Sequence, residues 1–266
     1  MEKIEHPLWI VQWVNTLLGP LVAAALRPLG ITFAAGDKVI PDHIVMALLI
    51  LAFAAVLCLL IRSRLSVDDP GKLQILLETL ISSVNNLLKD VVGPKGPQFL
   101  PLVGSVGFFI LVGNLMGLIP GLMAPTSNIN TTLGCAVTVW VYYQFHGLKA
   151  QGVVGYLRHF AAPPGAPIWI APIYFPIEVI SHLSRVLSLS VRLFGNIFGE
   201  ELVILILFTI VPFIVPLPMM FLGIITAVLQ AFIFVMLTMI YLQGAVVVEH
   251  HDAGAGHGAA HEAAAA

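Results

Sequence analysis

The stretch PIYFPIEVISHLSRVLSLSVRLFGNIFGEELVILILFTIV, residues 172–211, decides how the rest of the chain is read. Between Ala171 and Val248 the only formal charges are Glu178, Arg185, Arg192, Glu200 and Glu201, joined by the titratable His182. Leu202 to Val248 then passes without a charge. Apolar runs of this length read as membrane-spanning, and an ionisable group inside one costs roughly 2.5–3.5 kcal/mol on insertion scales. So many on one helix point to chemistry rather than accident.

Helical geometry sorts these groups. At 100° per residue, Ser181, Arg185, Ser188, Arg192, Asn196 and Gly199 fall within about 40° of one line. A polar stripe of this kind turns toward a partner or water rather than lipid. Glu201 projects to roughly the opposite side, and Glu200 and His182 lie about 80° from the arginine, so two separate polar environments are expected. Along the axis, Glu178 stands about 21 Å to one side of Arg192 and Glu201 about 13 Å to the other. Arginine keeps its proton, so Arg192 attracts a carboxylate and blocks a proton wire, whereas carboxylates and His182 titrate and relay. Arg185 has Glu178 and His182 as partners within reach. Arg192 has no acidic residue of its own chain within one or two turns, so its partner is expected on another subunit. On the last helix Gly223, Thr226 and Gln230 follow i, i+3, i+7 spacing and form a polar patch, in which Gln230, amid apolar neighbours, needs hydrogen-bond partners.

The rest of the chain fits a membrane setting. Of its 266 residues 59% are hydrophobic and 10% charged, against about 45–50% and 25% in soluble domains. A net charge of −2 leaves no basic footprint for nucleic acid. Cys58 and Cys135 both lie in apolar runs and read as small hydrophobes, not as a disulfide or redox pair. Met1 to His6 carries two glutamates and a lysine, which does not resemble a cleavable signal. Residues 1–43 read as an extracytoplasmic or interfacial segment: Trp9 to Leu29 is interrupted by Gly19-Pro20 and Arg27-Pro28, with Trp9 and Trp13 at headgroup level.

A single transmembrane domain follows over residues 44–248, with spans at about 44–61, 99–119, 131–146, 172–211 and 216–248. Between the first two, Leu73, Leu76, Leu77, Leu80 and Val84 recur at helical spacing and predict an amphipathic surface helix. The last two spans are longer than the roughly 30 Å hydrocarbon core, so they are expected to tilt and form a hairpin. The expected fold is therefore all-α and membrane-integral. Arg62, Arg64, Lys72, Lys89 and Lys95 follow the first span and Lys149 and Arg158 the third, while the other two connections carry no basic residue. That asymmetry puts the N-terminus outside and the C-terminus in the cytoplasm. Residues 249–266, rich in histidine, alanine and glycine, read as a disordered tail, with weak metal binding by its histidines the lesser alternative.

Ser188-Leu-Ser-Val-Arg192-Leu-Phe-Gly-Asn196, then Gly199-Glu200-Glu201-Leu202, closely resembles the signature of subunit a of F-type ATP synthases. Leu229-Gln230-Ala231-Phe232-Ile233-Phe234 is similar to the same family, as are Gly113-Asn114-Leu115-Met116-Gly117-Leu118-Ile119-Pro120 and Pro125-Thr126-Ser127-Asn128. The likeness covers roughly Phe99 to Tyr241 in order. It implies a stator of a bacterial inner (plasma) membrane that moves H+ through two offset half-channels against a rotating ring of c subunits, coupling proton flow to ATP synthesis, with the b subunits of the peripheral stalk as further partners. By the same resemblance Arg192 meets the ring carboxylate, Asn196 and Gln230 support it, and Glu201 lines the periplasmic half-channel. Glu178, with Ser188 and Arg185, lies near the cytoplasmic one. Many relatives have a histidine where this chain has Gly223; Glu200, His182 or a water stands in for it. No cofactor, metal or small-molecule substrate is implied, and no Gly-x-x-x-x-Gly-Lys loop is present to cradle phosphate, so the chain is not itself the catalyst of ATP synthesis. The alternative, a standalone proton channel or transporter, predicts internal repeats and broken ligand-binding helices, which the sequence does not display. A purely structural scaffold leaves Arg192 unexplained.

Overall fold

With no water in hydrocarbon, a spanning backbone must satisfy its polar groups internally, and helices do this within one segment. The computed structural model describes residues 9–26, 39–62, 65–66, 69–119, 121–152, 155–156, 171–210, 214 and 216–246. Seven α-helices run through them: α1 (Trp9–Leu26), α2 (Asp42–Arg62), α3 (Lys72–Val92), α4 (Leu100–Gly117), α5 (Ile129–Gln151), α6 (Ala171–Ile210) and α7 (Pro216–Val246). Short 3-10 turns at Gly96–Phe99 and Pro125–Ser127 lead into α4 and α5. Among the described residues there is no strand.

Among the described residues, four helical segments are long and apolar enough to cross a membrane: Asp42–Arg62, Gly96–Gly117, Pro172–Ile210 and Pro216–Val246. α5 is long enough, at 23 residues, yet does not join them. Asn130, Thr131, Thr132, Thr138, Gln144, His146 and Lys149 dilute its apolar character; Thr132 is buried, while Asn130, Thr138 and Lys149 are exposed. At 40 and 31 residues, α6 and α7 reach about 60 and 46 Å and pack along one another.

α7 is the central element, packed on α4, α5, α6 and α3. Gly223, Ala227, Gln230, Phe234, Thr238, Leu242 and Ala245 form its buried spine at helical spacing. Small residues let the backbones close: a Cβ built on Gly107 of α4 would stand 2.6 Å from Val235 Cγ2. The main core joins Phe99, Val103, Ile110, Tyr143, Leu189, Leu193, Phe234, Met239 and Leu242. A second core, Val11, Ile40, Val45, Met46, Ile50 and Met116, ties α1 and α2 to α4.

Two expectations need revision. Gly19-Pro20 does not interrupt the first segment, since α1 runs through Pro20. One proline removes one helical hydrogen bond, at about 3 kcal/mol. Asn15 helps offset this by donating to the Ile40 carbonyl (3.1 Å) and accepting from the Ile40 N–H (2.9 Å). Along α3 the apolar stripe is divided: Leu73, Leu76 and Leu80 are exposed, while Val84, Leu87, Leu88 and Val92 join the core. The helix therefore has one free half and one docked half. The tail 249–266 and the connection carrying Arg158 and Pro163-Pro164-Gly165 lie outside the described residues.

Candidate functional site

α6 has three faces. Leu189, Ser190, Leu193 and Ile197, with His182, are buried against α5 and α7. Leu183, Leu187, Val191, Phe198 and Leu202 form an exposed apolar face. Between them runs the polar stripe, on which Ser188, Arg192 and Asn196 are exposed and Ser181, Arg185 and Gly199 half-buried. The packed face is pinned by Ser190, whose hydroxyl lies 3.2 Å from that of Thr132 on α5. This contact fixes the rotation of α6 and hence the direction of the stripe.

At the stripe's centre Arg192 forms no ion pair among the described residues. Asn196, one turn on, donates its side-chain amide to Gln230 Oε1 across the α6–α7 interface at 2.9 Å. Gln230 is 2% exposed and its Nε2 has no hydrogen-bond partner. The interface thus holds a buried amide donor without a partner on α7, while Arg192, one turn from Asn196 on α6, is exposed.

At one end of α6, Glu201 turns away from the stripe. Its Oε1 accepts the Ala124 backbone N–H at 2.9 Å. Ala124 precedes the 3-10 turn Pro125–Ser127, and no local side chain caps that turn, so a carboxylate distant in sequence satisfies an N–H that a helix start leaves unpaired. Gly117 makes room, because a Cβ there would stand 2.9 Å from Glu201 Oε1 and 2.8 Å from the Ala124 methyl. Nearby Thr126 donates to Asn114 Oδ1 at 2.7 Å, a bond wholly inside the protein. Glu200 occupies a different space: its carboxylate fills the volume a side chain at Gly223 would need, with Glu200 Cδ 2.9 Å and Leu118 Cδ2 2.7 Å from the position of such a Cβ. Of the three groups named for the role of a side chain at position 223, Glu200 is the one whose carboxylate lies against that position.

Toward the other end, His182 Nε2 lies 3.3 Å from Glu178 Oε1, one turn earlier, and its Nδ1 lies 2.9 Å from the Tyr143 hydroxyl of α5. Arg185 does not ion-pair with Glu178; its guanidinium sits over the Tyr241 ring of α7, 5.4 Å from the centroid, a cation–π contact. Tyr156, beyond the end of α5, donates to Gln144 Oε1. Burial pushes its phenol above the ordinary range, the Glu178 charge acts in the same sense, and the Arg185 charge opposes both.

The residues singled out from sequence thus fall into three groups along α6: Glu178 and His182 toward one end, Arg192 and Asn196 in the middle, with Asn196 bonded to Gln230 of α7 and Ser188 exposed one turn before the arginine, and Glu200 and Glu201 toward the other end. The 180° separation of Glu201 from Arg192 corresponds to its contact with Ala124. Tyr143 and Thr132 were not found by that reading, and Ser190 and Asn114 stood in the family motifs without a role. Thr132, Ala136, Val139, Tyr143 and Gly147 follow helical spacing on α5, and this periodicity is the signal that turns Tyr143 inward.

A family model described as ATP synthase A chain matches residues 43–243. ATP synthase subunit a of Citrifermentans bemidjiense is 46% identical over 226 residues, covering 85% of this chain and 94% of the relative. ATP synthase subunit a 1 of Pelobacter propionicus is 43% identical over 246 residues, covering 92% and 99%. ATP synthase subunit a of Geotalea daltonii is 43% identical over 245 residues, with the same coverage.

Proposed function

The chain belongs to the ATP synthase A chain family, and on that premise we propose that it is the proton-translocating stator of a bacterial inner-membrane ATP synthase, working against a ring of c subunits and held by the b subunits of the peripheral stalk. The observation that carries this reading is Arg192: a permanent cation on an exposed face of a spanning helix, without an ion-pair partner among the described residues. A lone charge in hydrocarbon is costly, so the face is built for a negative group brought by another polypeptide.

The mechanism follows from where the protonatable groups stand. Glu201 and Glu200 form the approach from the outer surface. A proton delivered there neutralises a ring carboxylate, which then enters lipid at far lower cost than a charge. After rotation the carboxyl meets the inner half-channel, where Glu178 and His182 accept its proton. The bare carboxylate is drawn to Arg192, whose guanidinium does not deprotonate and so interrupts any direct wire between the two channels. Asn196 and Gln230 hold α6 and α7 in register at that point. A potential of 100 mV supplies about 2.3 kcal/mol per proton, so several protons drive each ATP. Orientation follows the basic loops, with the Glu178 end cytoplasmic.

The test is Arg192→Ala in the assembled enzyme, read as ATP-driven acidification of inverted vesicles. Pumping is lost while the complex still assembles; normal pumping by that variant refutes the proposal.

A further inference from the structure

The proton path proposed above uses Glu178 and His182, and a residue of another helix completes their geometry. We propose that Tyr143 on α5 is a positioning residue for proton exchange at this end of α6: its hydroxyl holds the His182 imidazole with Nε2–H toward the Glu178 carboxyl, which takes and releases the proton. The assignment rests on the reading of the chain as a proton-translocating stator.

Both ring nitrogens of His182 are engaged. Nδ1 is 2.9 Å from the Tyr143 hydroxyl and Nε2 is 3.3 Å from Glu178 Oε1. Tyr143 is 2% exposed, and its ring lies 28° from the plane of the imidazole at a centroid distance of 5.9 Å. The Glu178 side chain keeps 19% of its surface exposed, so the row Glu178–His182–Tyr143 runs from a partly exposed group to a group sealed in the core.

A phenolic hydroxyl donates or accepts, and an imidazole presents a donor and an acceptor that exchange with its tautomer. In the unloaded pair Nε2–H donates to the Glu178 carboxylate and the Tyr143 O–H donates to Nδ1. One added proton enters at the Glu178 end and sits on the carboxyl, with Nε2–H still donating to Oε1 and the Tyr143 O–H still donating to Nδ1. Loading and unloading therefore move one proton at the partly exposed end of the row, with both of its hydrogen bonds kept. Without the hydroxyl, Nδ1 is a buried acceptor with no donor, and the imidazole is free to take the tautomer that turns a bare Nε2 toward the carboxylate, a state disfavoured in a low-dielectric interior.

The charged and titratable groups around this row come from every element packed on it. Tyr174 and Arg185 lie on α6 with Glu178. Tyr241 of α7 has its ring 6.0 Å from that of Tyr143 and beneath Arg185. Tyr156, past α5, senses both Glu178 and Arg185. Arg185 also acts on the Tyr143 hydroxyl, by its charge and as a hydrogen-bond donor, and Tyr174 hydrogen-bonds Glu178, so each end of the row has a further partner.

Tyr143→Phe keeps the ring and removes only the hydroxyl. In vesicles carrying the complete membrane sector, stripped of its catalytic head, passive proton flux under an imposed potassium-diffusion potential is measured across the neutral pH range. Tyr143→Phe is expected to assemble at the parental level, to lower flux roughly three- to tenfold, and to change the shape of its pH profile. His182→Gln gives the same altered profile, and the double variant is no slower than the slower single one, because both act on one bond. A parental pH profile in Tyr143→Phe, losses that multiply in the double variant, or failure of Tyr143→Phe to assemble each overturns the assignment. Arg192→Ala separates the two levels: if that variant still pumps, the stator reading itself has failed, whereas a dead Arg192→Ala beside a parental Tyr143→Phe removes only Tyr143.

Discussion

Gly223→Ala adds one methyl group where the structure has a carboxylate. The new Cβ would stand 2.7 Å from Leu118 Cδ2 and 2.9 Å from Glu200 Cδ, with Glu200 Oε1 closer still. Carbon atoms rest at about 3.5–4.0 Å, so the Leu118 methyl must retreat by about 1 Å and the Glu200 head, whose oxygen is nearer still, by more. Both are far ends of flexible side chains, so the fold yields: an off-rotamer adjustment costs about 0.5–1.5 kcal/mol and local overpacking about 1–3 kcal/mol. The variant is expected to assemble. The proton path is less forgiving, since a 1 Å misplacement of a working group can slow a reaction about a hundredfold. Proton flow from the outer side should fall about ten- to a hundredfold, read as ATP synthesis driven by an acid jump on that side. The decisive comparison is the same change in a Glu200→Ala background, where the clash with Glu200 is gone and only the Leu118 methyl has to move. There Gly223→Ala should lower flow no further. An equal loss in both backgrounds, or no loss in either, refutes the argument that Glu200 fills the space above Gly223.

Glu201→Gln retains an oxygen to accept the Ala124 N–H and loses the ability to carry a proton, so assembly should persist while acid-jump-driven synthesis drops; an unchanged rate removes Glu201 from the path. Gly96→Ala should prevent α3 from docking, because its Cβ would stand 2.6 Å from the Leu88 carbonyl carbon, within rigid helical backbone. The expected signature is loss of assembled complex in a blue-native gel, with Gly104→Ala, which meets nothing within 4 Å, assembling like the parent.

Much of this architecture is legible from local spacing. The exposure of Ser188, Arg192 and Asn196 follows from 100° per residue, as does the turn of Glu201 to the far side. The signatures around Arg192 and Gln230 carried the family. What spacing could not give was which residues meet across helices. Tyr143 and His182 are 39 positions apart, and nothing in either neighbourhood names the other; helical periodicity states only that both face inward. The reach of Glu201 to a backbone N–H was likewise invisible, since every residue but proline has such a group. α1 shows the converse limit. Gly-Pro is a reliable breaker in an isolated chain, but Asn15 clamps α1 to Ile40, and tertiary contact carried the helix through Pro20.

The three acids of α6 share one property that bears on how Arg192 stays available. Glu201 is bound to the Ala124 N–H, Glu200 is lodged over Gly223, and Glu178 faces His182. None pairs with the arginine. At about 13 Å and an effective dielectric near 20, the pull of Glu201 on Arg192 is about 1 kcal/mol; at about 4 Å it would be about 4 kcal/mol. Were one of these carboxylates able to swing onto the guanidinium, a visiting ring carboxylate would have to displace it and would lose most of its attraction. Each acid is instead held on a face or at an end from which it does not reach the stripe. Serine, asparagine and glycine, which carry no charge, are the residues that flank Arg192 along it. The chain thus keeps these three acids and Arg192 apart, and under the proposed function that separation is what lets one helix both conduct protons and block their direct passage.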